Sequence, residues 1–227
     1  MVNFIFDVDG TLTPSRGTID PEFKEFFMDF ANKNNVYLVT GSDRPKTIEQ
    51  IGLDSYLLCK RVYNCSGNDV YEGHHNIVQS EWTLPEDAHE WLSKKLSDSE
   101  FPYRTGLHFE HRTGMCNFSV VGRNANQSQR YEYFGWDYMH KERDKIASQF
   151  NKIFPDIEAD VGGETGIDIF PRGKNKSQIL KDFDKDTIQF YGDRTDENGN
   201  DYPIACELHA EQVYTVSDWQ ETWEYLR

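Results

Sequence analysis

The 227 residues are 37% hydrophobic and 14% aromatic, enough for one sizeable core or for a core domain carrying a smaller second lobe. Against 24 basic residues stand 39 acidic ones, a formal charge of -15, which excludes nucleic acid and anionic membrane as default partners and requires a local cluster of cations for any anionic ligand. The four cysteines (Cys59, Cys65, Cys116, Cys206) have no metal-ligand spacing, an acid interrupts the apolar start MVNFIFDVDG, and no stretch is long enough to span a bilayer; a reducing, cytoplasmic location is expected.

In chain order, Phe4-Ile5-Phe6 before Asp7 reads as a buried strand ending in a turn signal. Asp20 and Pro21 then open a helix running to Asn34, with Phe23, Phe26, Phe27 and Phe30 on one face. Val36 to Val39 predicts a second strand and Pro45 to Ile51 a second helix. From roughly Glu81 to Pro171 the pattern changes. A helix (Glu86 to Leu96), an aromatic and basic run with strand character (Leu107 to Val121), one polar helix (Gln127 to Phe150) and a strand (Gly166 to Phe170) suggest an inserted α+β lobe. The aromatic residues Trp82, Trp91, Tyr131, Tyr133, Phe134 and Trp136 are expected in its core rather than on a sugar-stacking surface. The alternation resumes with a helix (Ser177 to Phe183) and strands at Ile188 to Tyr191 and Gln212 to Val216. Residues 1–80 and 172–227 are thus expected to form an α/β core domain with a parallel sheet, and residues 81–171 the inserted lobe.

The strongest chemical signal is Asp7-Val8-Asp9-Gly10-Thr11-Leu12-Thr13. A lone Asp-Gly is a common turn, but a strand points residues i and i+2 to the same side. Asp7 and Asp9 can therefore face one phosphoryl group, one attacking and one handling the leaving-group proton. Asp193, at the end of a later core strand, can complete an oxygen-ligand site for Mg2+ with Asp7 and the Asp9 carbonyl. Lys176 on its own reads as a surface lysine, but near these acids its ammonium could neutralise an aspartyl-phosphate. Thr40 and Ser42 could bond phosphate oxygens, while Ser42 or Asp43 serves equally as a helix cap. Arg16, Arg112, Arg123 and Arg130 in so acidic a chain look like a second phosphate clamp. Asp168 reads equally as an acceptor for a sugar hydroxyl or as half of a buried structural hydrogen bond.

The sequence resembles the haloacid dehalogenase superfamily and, within it, the eukaryotic-type phosphomannomutases. The resemblance runs through FDVDGTLTPSR (Phe6 to Arg16), GSDRPKTIEQIG (Gly41 to Gly52), RTGMCNFSVVGRNANQSQR (Arg112 to Arg130), GGETGIDIFPRGKNK (Gly162 to Lys176) and FYGDRTDENGND (Phe190 to Asp201). It implies an α/β fold with a Rossmann-like parallel-sheet core of haloacid dehalogenase type and an inserted α+β cap lobe. It also implies a nucleophile at Asp7, an acid/base at Asp9, Mg2+ at Asp7, Asp9 and Asp193, and substrate contacts from Arg16, Arg112, Arg123, Arg130 and Asp168. The chain departs from the family pattern in several places: Gly166 stands where a serine is usual, Lys174-Asn175 where Trp-Asp is usual, the lobe is shorter between Trp82 and Arg112, and Tyr202 to Gln212 does not follow the pattern closely. The expected activity is a hexose-phosphate mutase interconverting sugar 1- and 6-phosphates through an aspartyl-phosphate, with a sugar-phosphate phosphatase as the alternative. The expected partner is a small phosphorylated sugar, and oligomeric state stays open, a homodimer through the cap being one arrangement.

Overall fold

The computed structural model describes residues 1–15, 17–197 and 199–227. Arg16, one of the expected substrate contacts, lies outside the described residues. The chain divides into two compact units, Met1–Ser80 with Lys174–Arg227, and Glu81–Gly173.

The first unit begins with β1 (Asn3–Phe6) and α1 (Pro21–Lys33). Asp20 starts α1 by accepting from the amides of Glu22 (2.9 Å) and Phe23 (3.1 Å), and Pro21 fills the first turn, where no amide proton is needed. The buried stripe of this helix is Phe23, Phe27 and Ala31. β2 (Asn35–Val39) leads to α2 (Arg44–Ile51), α3 (Leu53–Leu58) and β3 (Arg61–Asn64), and then to β4 (Asp69–Glu72) and β5 (His75–Gln79).

The second unit carries α4 (Glu86–Asp98), β6 (Phe109–Arg112), β7 (Met115–Phe118), α5 (Gln127–His140), α6 (Glu142–Ile153), β8 (Ile157–Gly162) and β9 (Gly166–Pro171). The single helix expected from Gln127 to Phe150 is two helices. Lys141 adopts a left-handed conformation (φ 54°) that ends α5, and the Asp137 carboxylate then accepts from the Arg143 amide (2.8 Å) in the first turn of α6. Asp137 also holds Arg143 Nε at 2.8 Å, and Arg143 Nη1 reaches the Gly163 carbonyl at 3.0 Å, so a buried ion pair fixes the break.

The strands of this unit form an antiparallel sheet in the order β6-β7-β9-β8. Its register gives the two faces opposite characters. Phe109, Phe118, Ile167 and Val161 lie opposite one another and join the core built with Leu92, Tyr133 and Phe150. The adjacent row, Glu110, Asn117, Asp168 and Asp160, is polar throughout and points the other way. Tyr133 is buried and Trp82, Trp91 and Trp136 pack on the core as expected, but Tyr131 is 80% and Phe134 42% exposed. These two belong to the surface of α5, whose buried residues are Arg130, Tyr133 and Asp137, with Trp136 packed on the core beside them.

Back in the first unit, Lys176–Asp182 is a 3₁₀-helix, tighter than the α-helix that the pattern suggests, followed by β10 (Ile188–Gly192), α7 (Tyr202–Ala205), β11 (Val213–Thr215) and α8 (Trp219–Leu226). The sheet order is β11-β10-β1-β2-β3-β4-β5, parallel from β11 to β3 and antiparallel through the last two strands. One core cluster gathers Phe6, Phe23, Phe27, Leu38 and Tyr191, and another Ile5, Val39, Ile179 and Phe190, so consecutive strand residues bury on opposite faces. Among the described residues, no helix is long and apolar enough to cross a membrane.

Candidate active site

A doubly covered parallel sheet presents its ligand-binding residues where the strands end. Asp7 directly follows β1, where its amide donates to the Tyr191 carbonyl at 2.9 Å; Thr40 follows β2, and Asp193 follows β10. One carboxylate oxygen each from Asp7, Asp193 and Asp201 lies within 4.8 Å of the others. Gly10 (φ 83°) makes the approach feasible, since a Cβ there would sit 2.5 Å from Asp193 Oδ2.

Lys176 is not a surface lysine. It is 1% exposed, and its ammonium donates to Asp7 Oδ1 at 2.6 Å and to Asp201 Oδ1 at 2.7 Å. Burial alone would lower its pKa, but the carboxylates of Asp201 and Asp7 reverse that and hold it charged. Burial raises the Asp7 carboxyl well above its usual range, opposed by Lys176 and reinforced by Asp201 and Asp193. Burial, with Asp201 next, pushes Asp193 up to about 7. Three carboxylates facing one ammonium leave an excess of two negative charges, and all the remaining donor atoms are hard oxygens. A divalent cation of the Mg2+ or Ca2+ kind fits that donor set and would pull the raised pKa values back down.

Asp201 was not singled out from the sequence. Its carboxylate is fully buried, accepting from Lys176 and from the Arg194 amide at 3.2 Å. By sequence it belongs to an acidic loop after β10, and its side chain makes no cap bond to α7. The Asp9 carboxylate lies outside the three-carboxylate group; what the sequence suggested for the cation was its carbonyl. Its side chain accepts from Gln50 Nε2 at 2.9 Å and Ser42 Oγ at 3.4 Å. Gln50 is the other residue the sequence left unassigned: it sits on the buried side of α2 beside Thr47 and Ile51, a polar residue on an inward face. Asp43, rather than Ser42, caps α2 through the Lys46 amide at 3.0 Å, and Thr40 Oγ1 accepts from the Ser42 amide at 3.1 Å. Thr40 and Ser42 are both buried beside the aspartates.

In the second unit, Arg112 Nη2 lies 2.6 Å and Arg123 Nε 2.7 Å from the same oxygen of Glu110. Arg130 is buried with its guanidinium on Glu164 Oε2 (2.8 Å) and Thr165 Oγ1 (3.2 Å). Asp168 accepts from Asn117 Nδ2 at 2.7 Å, both side chains being buried. The glycine at 166 has a steric reason, because a Cβ there would lie 2.5 Å from that same Asn117 amide nitrogen. The structure thus gathers Asp7, Asp193, Asp201 and Lys176 in one unit, and Arg112, Arg123 and Glu110 in the other.

The chain matches the eukaryotic phosphomannomutase family model over residues 23–226. It is 36% identical over 215 residues to the phosphomannomutase of Saccharomyces cerevisiae, covering 89% of this chain and 84% of that protein. Among solved structures it is similar to the N-terminally truncated IMP-nucleotidase of Plasmodium falciparum, at 17% identity and a TM-score of 0.67 over 99% of this chain and 67% of that one. It is also similar to a sugar phosphatase of haloacid dehalogenase subclass IIB, at 14% identity and a TM-score of 0.58 over 92% and 85% of the two chains.

Proposed function

The chain belongs to the eukaryotic phosphomannomutase family, and we propose that it is a Mg2+-dependent hexose-phosphate mutase in which Asp7 carries the phosphoryl group. The observation that supports this most is the buried ammonium of Lys176 on Asp7 Oδ1. A fully buried lysine bonded to a carboxylate at the end of a central strand is costly to the fold alone, and it is what an aspartyl-phosphate requires.

An oxygen of Asp7 attacks phosphorus, the bond from phosphorus to the sugar oxygen breaks, and Asp9 gives that oxygen a proton. Charged in this way from a sugar bisphosphate, phospho-Asp7 gives its phosphoryl group in the second half-reaction to the free hydroxyl of a sugar monophosphate while Asp9 accepts the hydroxyl proton, so a sugar bisphosphate forms and must turn round before its other phosphate meets Asp7. Gln50 and Ser42 orient Asp9, bonding its carboxylate at 2.9 and 3.4 Å. Lys176, Thr40 and Ser42 bind the oxygens of the transferring group. Asp7, Asp193 and Asp201 with the Asp9 carbonyl would hold Mg2+, whose charge would offset the repulsion between carboxylate and phosphate.

Arg112, Arg123 and Arg130 recognise the phosphate that is not reacting. In the meantime Glu110 pairs with Arg112 and Arg123 and Glu164 with Arg130, single carboxylates displaceable by a doubly charged group. Asp168, fixed by Asn117, accepts from a sugar hydroxyl. The test is interconversion of mannose 1- and 6-phosphate with a bisphosphate primer, with released phosphate measured alongside. Interconversion outrunning release supports the mutase; phosphate release without interconversion would replace it with a phosphatase.

A further inference from the structure

The turn after β3 is held in an unfavourable conformation. Cys65 (φ 49°) and Ser66 (φ 57°) are consecutive non-glycine residues in the left-handed region, followed by Gly67 (φ 90°). L side chains adopt this region singly and at a cost, so the surroundings must over-determine it. On one side the turn is fastened to the loop after β2: the Cys65 amide donates to the Ser42 carbonyl at 2.9 Å and the Ser66 amide to the Thr40 carbonyl at 2.8 Å.

On the other side two amide side chains fasten it to the segment that carries Lys176. Asn68 Nδ2 donates to the Cys65 carbonyl (2.8 Å) and the Lys174 carbonyl (3.3 Å). Gln178 Nε2 donates to the Ser66 carbonyl (2.7 Å), the Lys174 carbonyl (3.0 Å) and Asn68 Oδ1 (3.4 Å). Gly67 is what lets Gln178 lie so close, since a Cβ there would come within 3.1 Å of Gln178 Cγ. The bridged carbonyl is two residues before Lys176, and the bridging side chain two residues after it. Where the flexible lysine stem delivers its ammonium depends on that short stretch of backbone.

We propose that Asn68 and Gln178 are positioning residues, a donor bridge that couples the Thr40–Ser42 loop to the Lys176 segment and so sets the ammonium on Asp7. This rests on the reading of Asp7 as the nucleophile. Every bond in the bridge to main chain runs from a side-chain N–H to a carbonyl oxygen, so the chemistry at position 178 must be a donor. A glutamate of the same shape would set its oxygens against two carbonyls, whereas a lysine could donate to both.

The test compares wild type, Gln178→Glu, Gln178→Lys, Gln178→Leu, Asn68→Leu and the double variant Asn68→Leu/Gln178→Leu on p-nitrophenyl phosphate with Mg2+, with a thermal melt of each. The expected result is a loss of kcat on the order of tenfold to a hundredfold in Gln178→Glu, as for a reacting group displaced by a fraction of an ångström to an ångström, with little change in KM. Gln178→Lys should recover most of that loss. The two leucine substitutions should be non-additive in kcat, as expected of one shared network. Equal losses in the glutamate and lysine variants, or lowered melting with kcat per folded molecule unchanged, would reduce the pair to a structural clip and overturn the proposal. A crystal structure of Gln178→Glu, or of Gln178→Leu if the glutamate variant does not fold, decides the geometry independently of turnover. Lys176 Nζ drawn beyond hydrogen-bond reach of Asp7 supports the bridge, and Nζ still bonded to Asp7 overturns it. A wild-type protein inactive on sugar phosphates and aryl phosphate alike would count against the nucleophile reading, while the crystal structure would still judge the bridge.

Discussion

Replacing Asp193 by asparagine should strengthen the metal-free fold at pH 8 while removing its response to Mg2+. Burial and the Asp201 carboxylate push Asp193 up to about 7 from an ordinary value of 3.8. A group whose pKa is higher in the folded state contributes stability that is fully present below the unfolded pKa and lost as pH rises through the folded one. The metal-free wild type should therefore weaken between about pH 4 and about pH 8. A rise of roughly 3 units corresponds to roughly 4 kcal/mol, and because Asp7 and Asp201 share the repulsion, the single substitution should recover about 2 kcal/mol. In urea that is a midpoint shift of about 1 M. The assay is urea unfolding in EDTA at pH 5 and pH 8, repeated with excess Mg2+. At pH 5 folded wild-type Asp193 is protonated but its unfolded carboxyl is already mostly ionised, so the variant should lead by only part of the advantage it shows at pH 8, where it should unfold later still. Added Mg2+ should raise the wild-type midpoint at pH 8 and leave the variant nearly unmoved. A variant weaker than wild type at pH 8 in EDTA, or one that responds equally to Mg2+, would show that Asp193 is neither strained by its neighbours nor a ligand for the cation.

Chelation should abolish turnover and Mg2+ should restore it, as measured by sugar-phosphate interconversion before and after EDTA treatment. Arg123→Ala and Arg130→Ala should each weaken use of sugar phosphates by about 1.5–3 kcal/mol, the range for charge-assisted hydrogen bonds. Cleavage of a small aryl phosphate should survive both, and kcat/KM on the two substrate types separates a phosphate clamp from a role in folding. Arg143→Ala should destabilise the protein by about 3–5 kcal/mol, because it leaves the buried Asp137 without its partner; thermal or urea unfolding reads this directly.

The strand leading to Asp7 was legible because the information is local: a short apolar run ending at an acid marks it. The helix from Pro21 was equally plain, since Asp20, Pro21 and the phenylalanine spacing act within a few residues. The acids near Lys176 suggested its role beside a phosphoryl group but not its burial, and Asp201 was not legible, because what distinguishes them is burial against each other across 25 positions of chain. Strands β3 to β5 are short, polar-studded and joined by turns, and β5 is exposed along its whole length, so no alternation marks it. The break at Lys141 depends on a left-handed residue that is not glycine, stabilised by the Asp137 and Arg143 pair, and the helical pattern runs through it unchanged. Tyr131 and Phe134 were assigned to a core on composition, whereas the helix turns Arg130, Tyr133 and Asp137 inward.

Covalent labelling shows whether the phosphoryl group passes through Asp7. Wild type and Asp7→Asn would each be incubated with a radiolabelled sugar bisphosphate and Mg2+, quenched in acid, and the labelled peptide identified by mass spectrometry. One hydroxylamine-sensitive acyl phosphate, located on Asp7, is expected, with neither label nor turnover in the asparagine variant, because an amide is a far poorer nucleophile than a carboxylate. Label on another side chain, or substantial turnover by Asp7→Asn, would contradict phosphoryl transfer through Asp7.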